Sequence, residues 1–287
     1  CEIYNGGLMF KKSLYLIGIV SCFLLFSSYA RAEVDAEVAY ILNTFSFLVC
    51  GFLVMWMAAG FLFLESGLVT TRSVSTIAAK NIGKFAIVSI VFYLFGYNLG
   101  YGVEEGGILG FPSLWTDNTS IDTGYSDASD WFFQALFVCA TVSIVSGAVA
   151  ERIKIWPFFL FAAILGGFIY PIQMGWEWGG GWLDALGFSD FAGSTLVHAC
   201  GGSAALAGII LLGPRLGRFT ESGEPANMAP FAPSSIPLVT LGTFILWMGW
   251  YGFNGGSQLA LGSYEDATAM SQIFMNTQLA ACGGCMA

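Results

Sequence analysis

The stretch YILNTFSFLVCGFLVMWMAAGFLFL, residues 40–64, contains no charged side chain. A transmembrane α-helix needs about 20 mainly apolar residues to cross the hydrocarbon core of a bilayer, and this stretch is long enough. Further apolar runs of similar length follow it along the chain. They cover residues 82–101, 131–150, 155–174, 191–212 and 236–256, and a last run starts at 267 and continues to the end of the sequence. These runs predict an all-α, polytopic bundle of transmembrane helices.

The overall composition excludes an ordinary soluble domain. The chain has 287 residues, of which 56% are hydrophobic and 10% are charged. Soluble domains are typically about 45–50% apolar and about 25% charged. The length is therefore better interpreted as a number of membrane spans than as a number of soluble domains, and the expected surroundings are a lipid bilayer.

The charges between the apolar runs alternate in sign. Every Lys and Arg after residue 33 falls in the first, third or fifth connection: Arg72, Lys80, Lys84, Arg152, Lys154, Arg215 and Arg218. The other connections and the start of the mature chain carry only acids: Glu33, Asp35, Glu37, Glu104, Glu105, Asp117, Asp122, Asp127, Asp130, Glu177, Asp184, Asp190, Glu265 and Asp266. Because Lys and Arg accumulate on the cytoplasmic side, the mature N-terminus is predicted to be outside. The acidic outer face would concentrate cations, although any single acid also serves simply to hydrate its loop.

The N-terminal segment has the pattern of a secretory signal peptide. Residues 9–32 read MFKKSLYLIGIVSCFLLFSSYARA, with two lysines, an apolar core at 14–26 and an A-x-A site at 30–32. This order is typical of a cleaved signal, and the core is shorter than the ~20 residues of a spanning helix. Residues 1–8 are then expected to be upstream translated sequence. A genuine first span is the alternative.

The stretch DFAGSTLVH, residues 190–198, holds the only histidine of the chain. Asp190 can cap the free N–H groups of the helix that follows. His198 lies about 12 Å further along the helix axis, which is near the middle of the membrane. An ionisable side chain at that depth is a candidate functional residue. The alternative is a neutral imidazole that is bonded to a nearby carbonyl.

The same stretch resembles the fifth-helix signature of the ammonium transporter family, the Amt/Mep/Rh proteins. Other segments are similar to the first loop, third helix, fourth loop and sixth helix of that family: AGFLFLESGLVTTRSVSTIAAKN, FFQALFVCATVSIVSGAVAER, WGGGWLDALGFSDFAG and GWYGFNGGS. The resemblance implies a fold of about eleven helices in two inverted halves. Residues 33–287 would be an ammonium transporter domain with about seven of these helices, truncated at its C-terminus. The resemblance also implies an external N-terminus and a homotrimer with one pore per subunit.

The resemblance implies roles for aromatic residues near the outer mouth of a pore. In the family two phenylalanines form a gate there, and they correspond to Phe137 and Phe253. The recruitment site outside the gate corresponds to Trp178 and Ser257, with Phe133 lining the same vestibule. These residue types suit the task, because aromatic faces attract a small cation and a serine oxygen can accept an N–H. Ordinary packing is the alternative for each ring taken alone.

The resemblance extends below this gate. Asp190 corresponds to the aspartate that orders the recruitment site, and Trp250 to a pore-lining tryptophan of the sixth helix. His198 corresponds to the first of two paired pore histidines, the second of which belongs to a later helix. A charge at mid-membrane costs at least about 2.5–3.5 kcal/mol, so an apolar gate favours NH3 over NH4+. An imidazole below it can bond NH3 and relay a proton.

The function that follows is recruitment of NH4+, its deprotonation and conduction of NH3, with or without a relayed proton; methylammonium would be an analogue. The alternative is an ammonium sensor in which this pore is fused to a cytoplasmic signalling domain. An intramembrane enzyme using His198 is a third class, but no activated nucleophile or metal-ligand cluster accompanies the histidine. We therefore expect no enzyme activity, no cofactor, no metal and no nucleic-acid partner. The expected location is the plasma or inner membrane, where a PII-type protein is a possible cytoplasmic regulator.

Overall fold

The computed structural model describes residues 34–227 and 231–287. The signal-peptide prediction for residues 9–32 and the upstream segment 1–8 lie outside these ranges. The chain divides into two units, residues 1–35 and 36–287, and all helices below belong to the second. Among the described residues the only β-type pairing is an isolated bridge between Phe219 and Pro225.

Six helices in the described ranges are long and apolar enough to cross a membrane. They are α1 (Ala36–Leu68), α2 (Thr71–Tyr101), α3 (Asp127–Ala148), α4 (Ile155–Gly175), α5 (Ser194–Leu212) and α6 (Ile236–Gly256). A further helix, α7 (Tyr264–Met286), follows them. Short helical turns at Ile121–Thr123 and Trp182–Ala185 lie in the connections. The predicted polytopic helical bundle is therefore confirmed, and the chain is a multi-pass membrane protein.

The first connection is shorter than the sequence predicted. The second apolar run was expected to begin at residue 82, whereas α2 begins at Thr71. The prediction that Lys80 and Lys84 lie in this connection is therefore wrong. Both lysines lie inside α2, where Glu65 of α1 approaches them at 3.0 Å and 3.6 Å. All three side chains are nearly inaccessible to solvent, so a tertiary ion pair accommodates charges that interrupt the apolar pattern.

Helices α1 and α6 pack closely in antiparallel directions through glycines. A Cβ atom at Gly242 would lie 2.5 Å from the backbone nitrogen of Leu64. A Cβ at Gly60 would lie 2.8 Å from Cγ of Leu246. Small residues permit such close approach between membrane helices. This contact fixes the position of α6 and therefore of the side chains near its C-terminal end.

Three of the membrane helices contain π-helical segments. They lie within α2 at Phe92–Gly96, within α4 at Leu165–Ile169 and at the start of α5 at Ser194–Ala199. Regular α-helix was expected at these places. The wider turn inserts a residue and changes the direction of the side chains that follow, and such bulges are frequent at functional sites. In α5 the N–H of His198 donates to the carbonyl of Gly193 at 2.9 Å, five residues earlier.

The two ends of the bundle carry opposite charges. We call the end at which α1, α3 and α5 begin the acidic end, and the other end the basic end. The connections at the acidic end contain Glu104, Glu105, Asp117, Asp122, Glu177 and Asp184, and no Lys or Arg in the ranges that the structure describes. The connections at the basic end contain Arg152, Lys154, Arg215 and Arg218, and Arg72 lies in the first turn of α2 at the same end. The alternation predicted from the sequence therefore holds after Lys80 and Lys84 are assigned to α2.

At the basic end, Glu151 in the third connection is hydrogen-bonded to residues of the first and fifth connections. Its backbone has a φ of 60°. Its carboxylate accepts hydrogen bonds from the N–H and hydroxyl of Thr70 at 3.0 Å and 2.5 Å, and from Nη1 of Arg215 at 2.5 Å. Burial alone would raise the pKa of Glu151, but the hydrogen bonds outweigh it and lower the pKa to about 2.

Candidate functional site

Asp190 forms the N-terminal cap of α5 with both carboxylate oxygens. Oδ1 accepts the backbone N–H groups of Gly193 and Ser194 at 2.8 Å and 3.0 Å. Oδ2 accepts those of Thr195 and Leu196, both at 2.8 Å. The free N–H groups at a helix start need acceptors and favour a negative charge. One carboxylate therefore satisfies the first turn of α5 and holds its π-helical start.

Trp178 is fixed in the preceding loop by contacts with the same residue. Its indole N–H donates to the main-chain carbonyl of Asp190 at 2.7 Å. The neighbouring Glu177 accepts the N–H of Asp190 at 3.0 Å. Burial raises the pKa of Glu177; the hydrogen bond from Asp190 opposes that shift, while the charges of Asp190 and Asp184 add to it. The loop and the start of α5 are therefore held together as one structure.

A cavity of about 280 Å³ opens at the acidic end of the bundle. It brings together four residues that the sequence singled out: Phe133, Phe137, Trp178 and Ser257. The ring of Phe137 lies 4.6 Å from that of Phe133 and 5.9 Å from that of Trp178, centroid to centroid. Ser257 directly follows the last residue of α6, and its hydroxyl donates to the carbonyl of Phe253 at 2.8 Å. The cavity therefore combines aromatic faces with a hydroxyl oxygen whose lone pairs remain available.

Phe137 and Phe253 form a stacked pair next to this cavity. Their ring centroids are 3.9 Å apart with an angle of 22° between the planes, and each side chain is 1% exposed. Phe253 does not line the cavity, so the pair separates the cavity from the residues beyond it.

His198 lies on the far side of the stacked pair. Its ring is 5.5 Å from that of Phe253. A continuous series of rings therefore runs from Trp178 through Phe137 and Phe253 to the imidazole. Within residues 34–227 and 231–287 the imidazole accepts or donates no hydrogen bond, so the carbonyl partner required by the alternative interpretation is not found there.

Trp250 is not brought into this arrangement. It lies on α6 one turn before Phe253, but its side chain is 40% exposed and does not line the cavity. Its expected place beside a pore therefore remains a prediction.

The cavity also contains residues that the sequence analysis did not assign to the site. Among them are Tyr97, Tyr101, Tyr125, Asp130 and Gln134. In DWFFQALF, residues 130–137, the acid, the amide and the two lining phenylalanines follow a spacing of three and four. This spacing places them on one face of a helix, so a periodicity signal for Asp130 and Gln134 was present. The tyrosines come from the end of α2 and from a loop, and no local pattern connects them with α3.

Comparison with known proteins identifies the family. The sequence model of the Ammonium Transporter Family matches residues 45–287. A putative ammonium transporter of Synechocystis sp., sll1017, is 41% identical over 285 residues, which is 97% of this chain and 63% of that protein. Ammonium transporter Amt2 of Archaeoglobus fulgidus is 40% identical over 247 residues, or 83% of this chain and 51% of that protein.

Solved structures agree with this result. The structure titled Sensor Amt Protein has a TM-score of 0.77 and 33% identity, covering 86% of this chain and 61% of that one. Mep2 of Candida albicans has a TM-score of 0.66 and 28% identity, covering 79% of this chain and 51% of that one. The chain thus spans between about half and two thirds of the length of these relatives. On this evidence, the chain belongs to the ammonium transporter family.

Proposed function

We propose that the protein is an integral membrane ammonium transporter or channel. It recruits NH4+ in the cavity at the acidic end, deprotonates it there and conducts NH3, with or without a relayed proton, towards His198. The observation that carries this proposal is the continuous series of rings from Trp178 through the stacked Phe137 and Phe253 to the imidazole. The relatives named as ammonium transporters support the same substrate.

Recruitment depends on the aromatic faces and on Ser257. A cation over an aromatic ring gains about 0.5–2 kcal/mol, and more when it is desolvated. The rings of Trp178, Phe133 and Phe137 line one cavity, so a single small ion can contact several of them. The hydroxyl of Ser257 uses its hydrogen on the carbonyl of Phe253, which leaves its oxygen to accept an N–H from ammonium.

Selection takes place at the stacked phenylalanines. The rings of Phe137 and Phe253 are almost completely buried, so an ion that enters between them loses its water. That loss costs at least about 2.5–3.5 kcal/mol for a charge at mid-membrane. NH4+ can avoid the cost by transferring its proton to solvent water in the cavity and passing as NH3, whereas potassium has no proton to release. The rings must move apart for passage, because they are in contact in this structure.

His198 receives the neutral molecule beyond the stack. A neutral imidazole has one nitrogen that donates and one that accepts, so it can bond NH3 or pass on a proton without a permanent charge. Asp190 contributes indirectly, since its cap holds the π-helical start of α5 on which His198 lies. Trp250 lines the pore below the gate in this proposal.

The proposal also includes an orientation and an assembly. The basic end faces the cytoplasm because it carries the Lys and Arg of the connections, and the acidic end with the mature N-terminus faces outward. Residues 9–32 are a signal peptide, residues 1–8 are upstream sequence and residues 33–287 are the transporter domain. The location is the cell membrane, with a homotrimer as the assembly and a PII-type protein as a cytoplasmic regulator.

A second candidate function is an ammonium sensor built on the same pore. The similarity to the structure titled Sensor Amt Protein, with a TM-score of 0.77, favours it. In a sensor the cavity would still bind ammonium, but net transport would be slow or absent.

One experiment tests the proposed function and separates the two candidates. The full-length protein is expressed in cells that lack their own ammonium transporters, and uptake of labelled methylammonium is measured against concentration. Saturable uptake that unlabelled ammonium inhibits supports transport. Binding of ammonium to the purified protein without uptake supports the sensor, and the absence of both contradicts the proposed substrate.

A further inference from the structure

We propose that Asp130 and Gln134 form a second ammonium subsite in the cavity at the acidic end, beside the aromatic recruitment site of Trp178 and Ser257. This inference rests on the proposed function, because it assigns the transported cation to an additional group of ligands in the same cavity.

Asp130 is a buried acid that faces this cavity. It lies in the first turn of α3, lines the cavity and is 6% exposed. Its Oδ2 accepts a hydrogen bond of 2.5 Å from the hydroxyl of Tyr97. No Lys, Arg or His approaches its carboxylate in the described part of the chain. A buried carboxylate normally has a cationic partner or binds a metal. Asp130 has hydrogen-bonding neighbours in Tyr97 and Gln134 but no cationic one there, so a cation in the cavity would complete its surroundings.

Gln134 supplies an independent observation. It lies one helical turn after Asp130 on the same face of α3, it also lines the cavity, and it is 6% exposed. Its Oε1 is buried without any hydrogen-bond partner among the described residues. Buried polar atoms nearly always have partners. The described chain supplies no donor to this acceptor, whose side chain lines the cavity, and we assign that role to a ligand in the cavity.

The two acceptors match the chemistry of ammonium. NH4+ carries a positive charge and four N–H donors, so it can donate to Asp130 and to Oε1 of Gln134 together. The rings of Phe133 and Tyr101 line the same cavity and present aromatic faces to a cation. Tyr97 donates to Oδ2 of Asp130, and the side chain of Gln134 also hydrogen-bonds this carboxylate, so both contacts hold Asp130 in place beside the cavity.

The size of the cavity permits both subsites. A water molecule takes about 30 Å³ of liquid volume, whereas the cavity measures about 280 Å³. An ion at Asp130 can therefore coexist with several waters and then move to Trp178 and Ser257 next to the stacked rings. In this arrangement Asp130 concentrates the cation, and the aromatic site prepares it for loss of its proton.

Crystals of the full-length protein soaked in thallium(I), a heavy monovalent analogue of ammonium, test the subsite directly. We expect an anomalous peak at hydrogen-bonding or coordination distance from Asp130 in the native protein and no peak there in Asp130→Asn. A peak confined to Trp178 and Ser257 would overturn the proposal. This readout does not depend on transport, so it decides the subsite even if the native protein proves unable to take up methylammonium.

Uptake kinetics form the second arm of the test. Asp130→Asn should raise the half-saturation concentration for methylammonium about tenfold, as the loss of a charge-assisted contact implies. Gln134→Met, which keeps the shape but removes the free acceptor, should raise it by about threefold. Asp122→Asn is the matched control, because it removes one acid from an exposed position at the same end and should change the value less than twofold.

Folding is checked separately by surface abundance and thermal unfolding. If Asp130→Asn does not fold, Gln134→Met and the thallium peak of the native protein still decide the question. Native uptake that both variants leave unchanged would overturn the subsite while the proposed function stands.

Discussion

The indole N–H of Trp178 is hydrogen-bonded to the main-chain carbonyl of Asp190, whose carboxylate caps α5. One residue thus positions both a wall of the cavity and the helix that carries His198. Because the two parts share this residue, the recruitment site and the start of α5 are fixed relative to each other. The cavity wall does not depend on loop contacts alone.

Trp178→Leu should weaken ammonium recruitment without loss of folding. Removal of a cation–π contact of about 0.5–2 kcal/mol corresponds to an increase of about 2- to 30-fold in the half-saturation concentration. Uptake of labelled methylammonium against concentration measures it. Trp182→Leu is the control, since Trp182 packs on Trp176 and does not line the cavity. Equal kinetics for native protein and Trp178→Leu would show that this ring only packs the loop.

Phe137→Leu should reduce the rejection of potassium. The smaller side chain ends the stacking on Phe253 and admits water, so the barrier to a charge falls. We expect potassium current in reconstituted protein to rise at least about tenfold, because a barrier lowered by ~1.4 kcal/mol already gives that factor. Phe132→Leu is the control, because Phe132 lies on the same helix but packs on Phe52. This variant should still exclude potassium. A leak of similar size in both variants would assign the effect to general loosening of α3.

His198→Ala should abolish electrogenic ammonium uptake, because it removes both the donor and the acceptor of the imidazole. Proton transfer by a positioned side chain contributes about 100-fold or more, and a current reduced by that factor is the expected result. His198→Glu keeps an acceptor and a titratable group, so some flux should remain with poorer rejection of potassium. Currents recorded in ammonium and then in potassium provide the measurement. Native current and selectivity in His198→Ala would make His198 a packing residue.

The orientation of the bundle can be tested by thiol labelling in a cysteine-free background. Asp122→Cys should react with an impermeant reagent in intact cells, because residue 122 is exposed at the acidic end. Residue 72 is exposed at the basic end, so Arg72→Cys should react only after the cells are permeabilised. The opposite labelling pattern would invert the proposed topology.

Glu151→Gln should lower thermal stability at neutral pH, and the difference from native protein should disappear in acid. The folded pKa of Glu151 is depressed from its ordinary value of 4.5 to about 2, so its contribution is fully present above 4.5. It is lost as the pH falls through the folded pKa. Unfolding temperatures in detergent between pH 7 and 2 provide the measurement, with the exposed Glu221→Gln as control. A stability gap as large at pH 2 as at pH 7 would contradict this pKa assignment.

Local patterns predicted most of the fold. The apolar runs located the six membrane helices because lipid exposure imposes one length and one polarity on each. The alternation of cations between connections, and the cap at Asp190, also follow from short stretches of sequence. Motif similarity then selected Phe133, Phe137, Trp178 and Ser257, which the structure brings into one cavity.

The features that the sequence did not predict depend on contacts between helices. Lys80 and Lys84 interrupt an apolar run, and contacts with other helices, above all with Glu65 of α1, compensate for their burial. The π-helical start of α5 depends on the acceptors of Asp190 and on Gly193, whose φ of 101° lies in the left-handed region. The contact between Tyr97 and Asp130 joins residues from α2 and α3, so no spacing within one helix could indicate it.

The buried charges of α1 and α2 also bear on how the protein is made. A lysine in a helix that enters the membrane alone costs up to about 2.5–3.5 kcal/mol at the translocon, and α2 carries two in its first half. An apolar stretch of 18 residues in α2 has a mean hydropathy of 1.6, compared with 2.4 for the corresponding stretch in α1, so α2 is the weaker insertion signal. Since Glu65 of α1 offers the counter-charge, the two helices favour joint insertion as a hairpin. Insertion of the second span would then be assisted by a carboxylate that the ribosome has already delivered in the first.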